Sequence, residues 1–169
     1  MMRELVRAAV ILIFVLVAGC IPMTGSYYSP SGAYGVPVSE YCHGGIGAKN
    51  TMDMKLGRIE LVLSANQIDT TKVFVGLQIF NNTKSHGNFN PDNISVYDED
   101  NHVALEKENI KQIYSKVQAN YSAYSFDIKA APTDFLVTFP PITNDGKQYN
   151  DVTVRFTKKH GVWVYAINC

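Results

Sequence analysis

Cysteine is scarce in this chain, with three residues at positions 20, 42 and 169. Their separations lack the short spacings of zinc sites, so no structural metal is expected. An excess of charge of either sign is also missing, since Lys plus Arg and Asp plus Glu both number 15. That balance offers no broad basic face, and nucleic acid is not an expected partner. Long hydrophobic runs are nearly absent. The single one, Ala8 to Val17, falls short of the roughly 20 residues that a spanning helix needs, and no second one follows.

Catalytic signatures are missing as well. The chain contains no Gly-x-Ser-x-Gly elbow and no His-Glu-x-x-His pair, and its four histidines, His43, His86, His102 and His160, are scattered. Each histidine is expected in a loop or turn. The run His43-Gly44-Gly45-Ile46-Gly47 is glycine-rich, but Ala48, Lys49 and Asn50 follow where a phosphate loop needs lysine and a hydroxyl. The acidic stretch around Asp98 and Asp100 fails as a calcium loop, because Val103 and Asn109 stand at the sixth and twelfth positions in place of glycine and glutamate. No cofactor, no metal and no enzymatic activity are expected.

What is present begins at the N-terminus. Arg3 and Arg7 flank Glu4, the apolar run follows, and the small residues Ala18 and Gly19 close it, which is the three-part layout of an export signal. At its end, Leu16-Val17-Ala18-Gly19-Cys20 resembles the lipobox of bacterial lipoproteins. The resemblance covers these residues alone. It implies removal of residues 1–19, lipid on the Cys20 sulfur, and anchoring in a membrane through several acyl chains, which hold durably where one chain does not. In that class an aspartate after the cysteine favours retention in the inner membrane. Ile21 stands there instead, so the expected location is the cell envelope with the outer membrane favoured.

Lipid on Cys20 leaves Cys42 and Cys169 in a compartment that permits oxidation, and they are expected to form a disulfide. The closed loop exceeds a hundred residues, for which chain entropy gives about 4 to 5 kcal/mol of stabilisation. Residues 20–41, rich in Pro, Gly, Ser and Tyr, have no periodicity and are expected to form a flexible tether. Residues 42–169 then make one domain, and the chain from residue 20 onward carries 13 basic and 14 acidic residues once Arg3, Arg7 and Glu4 are removed with the signal.

Within that domain, alternation of apolar and polar residues predicts strands over 56–65 and 73–80, and a hairpin from 93–97 and 102–105 around the turn Asp98 to Asn101. Ile110, Ile113, Tyr114, Val117 and Tyr121 fall at three- and four-residue spacings, which predicts an amphipathic helix over 106–120. Tyr124, Phe126 and Ile128 predict another strand. Three more are expected near 135–139, 152–156 and 162–167, with turns at Asn144-Asp145-Gly146 and at Lys158-Lys159-His160-Gly161.

Seven or eight strands and one helix indicate a mainly β protein, an antiparallel β-sandwich of immunoglobulin-like kind. The buried tryptophan beside an inter-sheet cystine of antibody domains has no counterpart here. The expected function is a non-catalytic binding or scaffolding module held at the envelope, with the loop Asn81 to Asn90 and the turn Asp98 to Asn101, Asp98 and Asp100 foremost in it, as the segments for contact with an envelope protein. Two alternatives stand beside it: an inhibitor inserting His43 to Ala48 into a hydrolase, and an envelope hydrolase whose site assembles from residues distant in sequence.

Overall fold

The computed structural model of the chain describes residues 20–39, 49–80, 91–116 and 121–166. Period-two alternation dominates. In β3 (Thr51–Leu56), β4 (Ile59–Gln67) and β5 (Val73–Phe80), the residues Met52, Met54, Leu61, Leu63, Val75 and Leu77 are buried while their neighbours face outward. Leu56 pairs with Ile59, so only Gly57 and Arg58 connect β3 to β4. Gly57 has φ +65°, a conformation that a two-residue hairpin with glycine first requires.

The strands form two large antiparallel sheets and a small hairpin. The first sheet runs in the order β2 (Gly35–Val38), β3, β4, β5, β9 (Tyr121–Ile128), β8 (Lys107–Lys116). The second runs β1 (Cys20–Ser31), β13 (Thr153–Ala166), β10 (Asp134–Thr138), β6 (Ser95–Asp98), β7 (Val103–Ala104). The hairpin joins β11 (Ile142–Asn144) to β12 (Lys147–Tyr149) through Asp145 and Gly146, both at positive φ, the twist that type I′ turns use.

Inward residues of both sheets belong to one hydrophobic core. Leu63, Val75, Leu77 and Phe126 come from the first sheet, and Tyr28, Val96, Phe135, Val154 and Phe156 from the second. Phe135 stacks on Phe156 at 5.2 Å, and Tyr28 meets Phe135 edge-on at 5.2 Å. Each such ring removed from water contributes about 2–3 kcal/mol.

Three expectations are corrected. No helix forms over 107–116; that segment is β8, the edge of the first sheet. Bulges between Glu108 and Lys111 and between Gln112 and Tyr114 each insert one residue opposite β9. Each bulge resets the two-residue alternation, so apolar residues three apart occur in an extended chain. The tether expected over 20–41 is instead strand over most of its described length. All twelve residues of β1 pair with β13, and Tyr28 is fully buried. Pro22 and Pro30 are tolerated because β1 lies at a sheet edge. The globular unit therefore begins well before residue 42. Finally, Lys158 to Gly161 is not a turn, since β13 passes straight through it.

Candidate functional site

The residues singled out in the sequence do not come together. Cys20 begins β1, with its backbone opposite Ala166. Cys42 and Cys169, the segment Asn81 to Asn90 and the loop His43 to Ala48 lie outside the described residues. Asp98 ends β6 and Asp100 lies within the β6–β7 turn, but Asp98 is only 3 % exposed. Its Oδ1 accepts the Asn101 backbone N–H at 3.0 Å, and its Oδ2 accepts the Asn101 side-chain amide at 2.8 Å. Burial pushes this carboxyl up. The bonds from Asn101, the Asp100 N–H and the charge of His102 outweigh it and hold the group below the usual carboxylate range.

The rest of the acidic turn is also turned toward the body. Asp100 Oδ2 accepts the Asp134 N–H at 3.2 Å, and Glu99 Oε1 pairs with Arg155 Nη2 at 2.6 Å. These two carboxylates brace the turn against β10 and β13, while that of Asp98 is bonded within the turn to Asn101. Among the described residues, no group of three or more His, Cys, Asp or Glu is placed to hold a metal.

Lys107 is another internal staple. Its ammonium donates to the carbonyls of Pro91 at 3.1 Å, Asp92 at 2.7 Å and Ile94, and it sits 5.9 Å from the Phe126 ring. Burial lowers its pKa, against the opposing charge of Asp92. It ties the start of β8 to the short 3-10 turn Pro91–Asn93.

The feature with the shape of a binding site lies on the outer face of the first sheet, a cleft of about 610 Å³. Register explains it. Thr51, Ser64 and Gly76 stand in one row across three strands, and their small side chains leave a trough. A Cβ on Gly76 would come within 3.1 Å of Ser64 Oγ and 3.4 Å of the Phe74 ring, so the floor is already in contact there. Val62, Gln78 and Asp53 fill the neighbouring row, Val38 and Ser39 form one wall, and Ile113, 61 % exposed, forms the other.

The lining offers hydroxyls, an amide, apolar groups and the carboxylate of Asp53. Among the described residues, no histidine, lysine or cysteine lines the cleft. Mixed apolar and polar linings suit reversible binding. The sequence carried the alternation that exposes these residues, but not the strand order that aligns them.

No protein-family model matches the chain, and no curated protein is significantly similar to it.

Proposed function

We propose that the chain is a membrane-anchored envelope lipoprotein whose mature β domain is a non-catalytic binding or scaffolding module. The observation that carries this reading is the sequence Leu16-Val17-Ala18-Gly19-Cys20 at the end of an export signal. It makes Cys20 the first mature residue, durably held once it bears two or more acyl chains. Ile21 in place of aspartate favours the outer membrane. A disulfide between Cys42 and Cys169 completes the proposed covalent structure.

The fold is read as an immunoglobulin-like sandwich. The orders β4-β5-β9-β8 and β13-β10-β6-β7 correspond to strands A-B-E-D and G-F-C-C′ of that architecture. Strands β1, β2 and β3 are then additions at the edges. The Tyr28 hydroxyl, which donates to the Pro132 carbonyl at 2.8 Å, ties down the connection equivalent to E–F from β1. Such a fold recurs with many functions, so the module's task is argued from its surfaces. The cleft on the first sheet, with hydroxyls, an amide, apolar groups and the single carboxylate of Asp53 in its described lining, supports binding of a segment of an envelope protein.

Intact mass of the protein purified from its native envelope tests the reading. A mature chain starting at Cys20 and carrying acyl mass, lost in Cys20→Ala, is the expected result; an unacylated chain sinks it. Affinity capture then separates scaffolding from inhibition, because recovery of a lytic enzyme would favour the latter.

A further inference from the structure

We propose that the outer face of the first sheet is a homodimer interface, in which two copies of the chain pack these faces together across a two-fold axis parallel to the strands. This inference rests on the reading of the cleft as a binding surface and names its partner, a second copy of the chain.

Register places the groups that matter. Val36 pairs with Asp53, Asp53 with Val62, and Val62 with Gln78. Residues opposite one another in an antiparallel pair share a face, so these four make one row. It faces away from the core, because Met52, Met54, Leu61 and Leu63 on either side of it are buried. At the other edge of the sheet, Ile113 lies between Gln112 and Tyr114, which pair with Tyr124 and Ala123, and Ala123 in turn pairs with Gln78. Ile113 lines the same cleft as Asp53, Val62 and Gln78. The row therefore runs from Val36 on one edge strand to Ile113 on the other. These two are 62 % and 61 % exposed, the highest values among the exposed large hydrophobic residues described. Apolar side chains so placed on both rims of one trough mark a contact surface.

The face complements itself. The strand order β2-β3-β4-β5-β9-β8 puts its centre between β4 and β5. A two-fold axis there, parallel to the strands, keeps every residue at its level and exchanges the two edges, so β2 of each copy lies over β8 of the other. Val36 then meets Ile113 of the second copy, and Val62 meets Gln78 of the second copy beside the axis. Charge follows the same symmetry. Asp53, on β3, is exposed, and so is Lys111 on β8, which pairs with Ser125 one outward row away. Neither is in an ion pair among the described residues. The rotation that joins Val36 to Ile113 also carries each of these carboxylates toward the lysine of the other copy. An axis across the strands would instead lay each strand over itself and keep the two charges on separate flanks.

Size is sufficient. Six strands at about 4.8 Å spacing make the face about 24 Å wide, and the nine residues of β4 make it about 30 Å long. The resulting area, roughly 700 Å², is close to the ~800 Å² per partner of a specific interface. Packed sheets lie about 10 Å apart, a gap that a valine and an isoleucine fill from opposite sides and that a lysine spans to a carboxylate.

Sedimentation velocity of the full chain purified from its native envelope, in density-matched detergent and over a concentration series, tests the interface. A concentration-dependent dimer is expected. Asp53→Lys and Lys111→Asp should each weaken it about ten-fold or more, and the double variant carrying both should regain most of the affinity, because the exchange restores an opposite-sign pair. Ile113→Asp should give a monomer with an unchanged circular dichroism spectrum, since that side chain is already exposed in the single chain. A wild-type chain that stays monomeric up to roughly 100 μM overturns the dimer. So does a dimer that neither reversal weakens, or one that the double variant fails to restore. Capture of a different envelope protein, lost in Ile113→Asp, would in that case keep the cleft as a binding surface while removing the second copy from it. The lipoprotein reading stands apart from all these results, because acyl mass on the mature chain decides it.

Discussion

Tyr28 joins a fully buried ring to a hydroxyl that must find a partner, and it finds one in the Pro132 carbonyl. Burial lifts its pKa to about 12. A phenol whose folded value exceeds the unfolded ~10 adds stability that is complete below that lower value. The contribution then disappears as pH rises through the folded value. Tyr28→Phe should therefore cost about 1–2 kcal/mol at neutral pH in urea unfolding, and the variant should lack this part of the wild-type loss at alkaline pH. Asp98 titrates in the opposite sense. Its folded pKa is lowered, so its contribution is present above ~3.9 and vanishes as pH falls through the folded value. Asp98→Asn should be less stable by about 1 kcal/mol at pH 7 and converge with the wild type in acid, as read by thermal unfolding at a series of pH values. Sequence placed Asp98 at a polar hairpin turn, which it flanks. It was silent on the inward direction of the carboxylate, because that depends on Asn101 folding back beneath it.

The strands that alternate cleanly, β4, β5 and β9, were legible because one face of each meets a continuous core. Edge strands were not. β8 carries two bulges that imitate helical spacing, and β1 buries Tyr28 and Pro30 while Thr24 and Ser26 are exposed. Periodicity is written only where packing enforces it. Deleting residues 24–31 tests β1: a dispensable tether would leave unfolding unchanged. Loss of Tyr28 alone removes about 2–3 kcal/mol of burial, a large share of the 5–15 kcal/mol that holds a domain. The deletion should abolish cooperative unfolding by circular dichroism. At the β3–β4 hairpin, Gly57→Ala meets both a left-handed backbone and the Asn144 side-chain nitrogen, which would lie 2.5 Å from the new methyl. That nitrogen donates to the Leu56 carbonyl at 2.6 Å and links the two hairpins. A loss of about 1–3 kcal/mol is expected by chemical denaturation, with the fold retained.

At the scale of the molecule, strand direction distributes the surfaces. β1 leaves Cys20 and β13 returns toward it, while Asp98 and Phe135 are level with Phe156. The turn after Asp98 thus lies toward the end of the sheet at which β13 runs on past β10, and the β11–β12 hairpin follows the opposite end of β10. The outer cleft was illegible for a related reason, since its floor is a row across three strands and alternation specifies faces but never neighbours. The same register gives the cysteines a competition that linear spacing conceals. Ala166 stands opposite Cys20, and Cys169 is three residues further on, no more than ~10 Å along the chain. Under the proposed lipoprotein reading, an unlipidated Cys20 would compete with Cys42 for Cys169. Acylation would remove the competitor by consuming the Cys20 sulfur. Peptide mapping without reduction should find Cys42–Cys169 in acylated protein. In oxidised chain whose acylation has been blocked upstream, with Cys20 intact, a Cys20–Cys169 cross-link should appear beside it. A map identical in the two preparations would mean that the ends of β1 and β13 are not held together as the register has them.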